Sequence, residues 1–354
     1  MKTTPAVRAG LAALACCLSL TAADVARAQS DPLAAIDRLQ GEARIAALVE
    51  GARREGSLMV YHSTQTEDLK PVFDAFTQKY GVAVRDWRSS SENIVQRVVS
   101  ETRAGRLEVD LIENNSPEME ALRRENLLRR MDSPHFADMR PGTLGSHRTY
   151  ATSTMDVFVT AYNTEKVKRE ELPRTYEDLL DPRWKERLGI EAEDQAWFGT
   201  LLGSLGEDKG VKLFRDVVRT NGISVRKGHT LLANLVASGE VPLALTVYNY
   251  KPAQLKAKGG QIDWIVLPPA IAQLHAVAVH ARAPHPHAAA LLFDFFLNEG
   301  QAILAARNFV PSSRKVRSAM EDVPIRFIDP AQAIDMQDPW LKLFQQIFIR
   351  RSNP

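Results

Sequence analysis

The sequence predicts an α/β protein of two lobes. Three observations predict it. First, the 354 residues are 45% hydrophobic and 25% charged, a globular balance with the length of about two domains. Second, apolar strand-like runs alternate with amphipathic helical stretches from Ser57 onward, the pattern of a parallel sheet with crossover helices. Third, a second run of alternating strands and helices follows "TSTMDVFVTAYNT", and later strands lead back to the first unit.

The first 28 residues read as a separate segment. "MKTTPAVR" is basic, "AGLAALACCLSLTAA" is apolar, and "ARA" places Ala26 and Ala28 two apart. That is the form of a secretory signal peptide. The apolar run of about 15 residues is short for a bilayer, where a helix needs about 20. A retained anchor and a lipoprotein signal at Cys16 or Cys17 are the alternatives. Cleavage after Ala28 would remove both cysteines and with them disulfides, thiolate metal sites and thiol nucleophiles. It would also remove Lys2, Arg8, Arg27 and Asp24, leaving acids and bases balanced. A neutral chain offers no electrostatic case for nucleic acid or an anionic membrane. No later stretch approaches 18 apolar residues, so a soluble mature chain is expected.

Along the chain, residues 31–54 repeat apolar positions at three and four and predict one helix ended by Gly56. "SLMVYHS", "VAVRDWR" and "EVDLIEN" predict strands. "TEDLKPVFDAFTQKYG", "SSSENIVQRVVSETRAG" and "SPEMEALRRENLL" predict the helices after each. In such sheets ligands sit beyond the carboxyl ends of the strands. The loops there are "HSTQTED", "RSSSEN" and "ENNSPE". They bring Ser63, Thr64, Gln65, Ser90, Ser91 and Asn115 to one edge, where exposed N–H groups at helix starts suit an anionic or strongly hydrogen-bonding ligand. "SSSE" also fits a capping box through Glu92.

In the second unit, "LPRTYEDLLDPRWKERLGIE" predicts a turn, a short helix and a strand, and "WFGTLLGSLGEDKGVKLFRDVVRTNG" predicts two helices. "DQAWF" offers Trp197 as a lid or a core anchor. "RKGHT" sets Arg226 and His229 between a strand and a helix, an anion site or a solvated turn with Thr230 as N-cap. "VPLALTVYNY" predicts a strand whose Tyr248 and Tyr250 share one side and whose Asn249 faces the other. The tyrosines are either core aromatics or cleft ligands. "HPHAAALLFDFFLNEGQAILAARN" is helical, its His285 and His287 being a capping turn or a zinc fragment. "DPWLKLFQQIFIRRS" predicts an amphipathic helix docked on the body.

No enzyme motif is present: no G-x-S-x-G, no G-x-x-x-x-G-K-[ST] and no H-E-x-x-H. No catalytic residue and no cofactor is expected.

Together "VYHSTQTEDLKPVFDAFTQKYG", "EVDLIENNSPEMEALRRENLL", "AYNTEKV", "LPRTYEDLLDPRWKERLG", "ANLVASGEVPLALTVYNY" and "LLFDFFLNEGQAILA" resemble the periplasmic substrate-binding proteins of ABC importers, and most the ferric-iron-binding branch. The resemblance runs from about Ser57 to Pro311. It implies the type II bilobal fold, with two α/β lobes joined by crossing strands, a periplasmic monomer that closes on its ligand and delivers it to permease subunits, and no catalysis. The expected division is lobe 1 (first part) over residues 29–156, lobe 2 over 157–272, and a return to lobe 1 followed by C-terminal helices over 273–354. The ferric branch holds iron by a histidine, a glutamate and two adjacent tyrosines. In this chain those positions fall on Gln65, Asn115, Tyr248 and Asn249. Only Tyr248 matches, so it is the single metal candidate. The expected ligand is an organic anion or chelated iron, with direct ferric binding as the alternative. A cleft enzyme or a ligand sensor is the rival class. The expected binding residues are Ser63, Thr64, Gln65, Ser90, Ser91, Asn115, Trp197, Arg226, His229, Tyr248 and Asn249.

Overall fold

A computed structural model describes residues 31–349. The proposed signal peptide lies outside the described residues. Helix α1 spans Gly41–Glu55. The predicted single helix over 31–54 is instead a turn and a 3₁₀ segment, Ile36–Arg38, followed by α1, because the extended backbone at Leu39 and Gln40 separates them.

The first unit then runs β1 (Ser57–His62), α2 (Thr66–Tyr80), β2 (Ala83–Arg88), α3 (Ser91–Ala104), β3 (Leu111–Asn115) and α4 (Ser116–Arg124). β1 pairs in parallel with both β2 and β3. The period-two pattern of β1 explains its place between two helical layers. Leu58 and Val60 enter a core with Phe76, Leu291 and Phe293, whereas Tyr61 enters another with Ile94, Val98 and Met119. Gly81 ends α2 in the left-handed region, at φ 74°.

β4 (Ala151–Asn163) is buried along all of its 13 residues. Its first half pairs with β9 (Ala270–Val279), and from Phe158 onward it pairs with β7 (Leu243–Tyr248). One strand thereby belongs to both lobes. β9 runs back beside it and joins β3. The second unit comprises β5 (Leu188–Glu191), α5 (Gln195–Leu205), α6 (Glu207–Asn221), β6 (Ser224–Arg226), α7 (His229–Ser238), β7, α8 (Tyr250–Ala257) and β8 (Ile262–Ile265). The strands follow the order β2-β1-β3-β9-β4-β7-β5-β6. Trp197, Phe198 and Phe214 fill the core on one face of the second lobe, and Leu232, Val236 and Val247 fill the other.

After β9 come α9 (Pro286–Leu297), α10 (Glu299–Ala306), β10 (Val310–Pro311), β11 (Ile325–Phe327), α11 (Pro330–Asp335) and α12 (Gln337–Phe344). Residues 288–297 of α9 are all buried in the first lobe, which accounts for the apolar run "AAALLFDFFL". The predicted continuous helix breaks at Asn298, where α10 turns away by 56°. No single helix among the described residues is long and apolar enough to cross a membrane. α11 packs on α4, tied by Arg124 to Asp335 at 2.6 Å, while α12 sends Phe344 into the second lobe's core.

Candidate functional site

One cavity of about 340 Å³ opens between the lobes, within the size range of small-ligand sites. Three walls enclose it. The first-lobe wall is the three loops that end β1, β2 and β3 and start α2, α3 and α4. Ser63, Thr64, Gln65, Ser90, Ser91 and Asn115 all line it, with Arg88, Glu92 and Glu118. Ser90 is the N-cap of α3 and accepts from the Asn93 N–H at 3.4 Å. Glu92 therefore sits one position short of a capping box, and the "SSSE" signature makes only a simple cap. Asn115 donates from Nδ2 to Ser91 Oγ at 3.0 Å, joining two of the loops.

The floor is the crossing strands, which contribute Asp156 from β4 and Gln273 and His275 from β9. His275 Nε2 lies 2.8 Å from Glu113 Oε1, and its Nδ1 lies 3.4 Å from Asp156 Oδ2. Ser63 Oγ and Thr64 Oγ1 also approach Nε2, at 3.4 and 3.3 Å. Burial would strip the imidazole of its proton, but Glu113 and Asp156 outweigh it and lift His275 to about 10. The floor is thus a buried imidazolium between two carboxylates.

The second-lobe wall carries Glu191, Asp194, Gln195, Trp197, His229 and Tyr248. Gly228, at φ 101°, turns the chain in a region closed to other residues and delivers His229 to the start of α7. The N-cap is therefore Gly228, not Thr230. His229 Nε2 lies 3.3 Å from Asp194 Oδ1, and the Tyr248 ring covers the imidazole at 3.8 Å between centroids. Burial opposes the charge on His229, yet Asp194 and Glu191 hold it at about 9. Burial, with Asp194 adding repulsion, lifts Glu191 to about 7. Burial likewise lifts Glu118 on the first-lobe wall to about 7. Burial pushes the Tyr248 and Tyr250 phenols well above their ordinary value.

Two expected residues lie outside the cavity. Asn249 is buried and accepts from the Val157 N–H at 3.2 Å while donating to the Asn308 carbonyl at 3.1 Å. β7 stops at Tyr248 and α8 begins at Tyr250, so the turn swings Asn249 into the packing between elements. Arg226 faces outward to Glu240 at 3.5 Å, and Lys227 pairs with Glu193 at 2.6 Å. "RKGHT" thus lends the cavity its histidine and not its two cations. Trp197 is 1% exposed and packs among Phe158, Tyr176 and Phe214, so it is a core anchor with one edge at the cavity. Tyr250 lines the cavity while its ring stacks on Phe309 at 4.0 Å. His285 and His287 sit at the start of α9, bonded to Asp110 and Glu55 at 2.9 and 2.6 Å, away from the cleft.

Sequence reading missed Asp156, Glu191, Asp194 and His275. The first and last lie inside the long strands β4 and β9, where no loop or helix start marks them. The middle pair was visible as the acidic run "EAED" that begins at the end of β5. Four acceptor oxygens in the cavity wall have no partner: Glu118 Oε2, Asp156 Oδ1, Asp194 Oδ2 and Gln195 Oε1. Buried acceptors without donors are costly, so the site is built for a ligand that brings donors or positive charge.

The sequence profile of the family described as "Bacterial extracellular solute-binding protein" matches residues 109–333. The chain belongs to that family. Among characterised relatives it is 26% identical over 215 residues to the Fe(3+)-binding periplasmic protein of Serratia marcescens, covering 60% of this chain and 62% of that one. It is 26% identical over 257 residues to iron uptake protein A1 of a Synechocystis species, covering 66% of this chain and 62% of that one. The alignments therefore span less than two thirds of either relative.

Among solved structures, iron-bound HitA from Pseudomonas aeruginosa superposes with a TM-score of 0.71 at 21% identity, over 82% of this chain and 99% of that one. AfuA from Actinobacillus pleuropneumoniae, bound to fructose-6-phosphate, gives 0.71 at 18% identity, over 83% and 99%. The apo ferric ion-binding protein A of Pasteurella haemolytica gives 0.72 at 14% identity, over 84% and 100%. These likenesses show the bilobal type II periplasmic-binding-protein fold.

Proposed function

We propose that this family member is the periplasmic solute-binding component of an ABC importer, acting as a monomer without catalysis. It closes its lobes on a small solute and presents the closed form to permease subunits. The observation that carries this reading is a cavity whose walls come from both lobes and whose floor is the two crossing strands. Contacts from both walls favour the closed form, and binding shifts the population toward it. We place the hinge where β4 changes partners, near Asp156 and Val157, and at the neighbouring Ala272 and Gln273 of β9. This gives lobes of 29–156 and 157–272, with β9, α9 and α10 returning to the first and α12 docking on the second.

The cavity's charge supports a metal chelate over a free organic anion. Hydroxyls, amides and helix N-termini on the first-lobe wall suit a chelator's carboxylates. The carboxylates of the second-lobe wall suit its cation. Relatives named for iron, and a structural neighbour holding iron with citrate, support the same reading. The test is protein purified from its own periplasm, unfolded in acid, with the released small molecules identified by mass spectrometry. A solute returned unchanged, whose addition raises the melting temperature of stripped protein, is expected. Turnover of that solute would instead make the cleft an enzyme site.

A further inference from the structure

We propose that Glu191, Asp194 and His229 form a metal site on the second-lobe wall, which holds a first-row transition-metal cation by direct bonds from the protein. The inference rests on the solute-capture reading and names the group that receives the cation. It differs from the set implied by the ferric-branch resemblance, whose positions fall on Gln65, Asn115, Tyr248 and Asn249.

Geometry carries the inference. One donor atom from each of the three side chains lies within 4.8 Å of the other two. Metal–ligand bonds of about 2.1 Å place neighbouring donor atoms about 3 to 4 Å apart, so a small contraction completes the site. The His229 Nε2 to Asp194 Oδ1 edge, at 3.3 Å, already has that spacing.

A second observation points to a ligand. Asp194 is only 5% exposed, and its Oδ2 has no partner. The supporting shell is also in place. Glu191 Oε1 accepts from the Gly228 N–H at 2.8 Å and Oε2 from the Glu193 N–H at 2.5 Å, which fixes the carboxylate and leaves each oxygen a free lone pair. Tyr248 packs its face on the imidazole and fixes the ring plane. The neighbouring cations Arg226 and Lys227 are turned outward to Glu240 and Glu193, so neither competes for the site. Two carboxylates and one imidazole suit manganese, iron, cobalt, nickel or zinc.

The test uses the full mature chain after chelator treatment. Calorimetric titration with manganese chloride, zinc chloride and ferric nitrilotriacetate should show one-to-one binding of at least one metal. Asp194→Asn and Glu191→Gln should each weaken it by at least about 30-fold, a loss comparable to or greater than that of an outer-shell partner. Arg226→Ala, outside the cavity, should bind as the parent does. Melting curves without metal separate misfolding from lost ligation, and two carboxylate variants guard against either one failing to fold. Failure of all three metals to bind, or equal binding by the carboxylate variants, would overturn the site. An organic solute that co-purifies without metal overturns the site and leaves solute capture standing. Absence of both counts against solute capture itself.

Discussion

The two walls of the cleft are built on different principles. The first-lobe wall is rich in hydroxyls and amides at the starts of α2, α3 and α4, with Arg88, Glu92 and Glu118 among them. The second-lobe wall gathers Glu191, Asp194 and His229 against an aromatic backing of Phe158, Trp197 and Tyr248. Between them, the floor holds a charged imidazole between carboxylates. One wall offers directional hydrogen bonds and the other offers charge. The cleft thus sets hydrogen-bonding groups and charged groups on opposite sides of one architecture.

The sharpest way to break this picture is at the floor. Replacing His275 by leucine strands Glu113 and Asp156 as buried carboxylates without a cation. The expected loss is about 3–5 kcal/mol in denaturant unfolding. A loss below about 1 kcal/mol would mean the floor is not held by that charge. The same residue predicts a pH dependence. Its folded value of about 10 lies above its ordinary 6.5, so the native state binds the extra proton. Its stabilisation is complete below about 6.5 and is lost as pH rises through about 10. Melting temperature should fall over that window, and less steeply in His275→Gln.

The backing of the second wall comes next. Trp197→Ala opens a cavity in the second lobe's core and should cost about 3–5 kcal/mol. Its counterpart on the first wall is the helix cap. Ser90→Ala should cost about 1 kcal/mol or less, because it removes one exposed cap bond. Equal losses at the two positions would erase the contrast between a core-anchored wall and a loop-built one. The smallest effect is expected at Arg226. Its pairing with Glu240 is on the surface, so Arg226→Ala should change stability by less than about 1 kcal/mol.

The first wall was legible in the sequence because its logic is local. A strand, a polar loop and a helix start follow one another three times, and the loop residues reach one edge by topology alone. The second wall was legible only in part. His229 and Tyr248 end local elements and reach the cavity. Asn249 was misplaced because strand alternation cannot foretell that β7 stops at Tyr248 and that a turn at once carries the next side chain into packing. Asp156 and His275 had no local signal. Asp156 shares β4 with threonines and a serine and His275 shares β9 with Gln273, so neither stands out, and they meet only because β4 and β9 pair between the lobes. β10 and β11 escaped notice for a related reason, being two and three residues long and defined by their partners.

Closure of the two walls on a bound solute is tested most simply by an inter-lobe distance. Residues 31–349 contain no cysteine, so a labelled pair can be introduced at Ser89→Cys on the first wall and Lys227→Cys beside the second. The probe is the solute released from protein purified from its own periplasm. Electron–electron resonance on the doubly spin-labelled chain should show a longer, broader distance distribution for the stripped protein. Adding the solute should shorten and narrow it. A distribution unchanged at saturating solute would contradict capture by lobe closure.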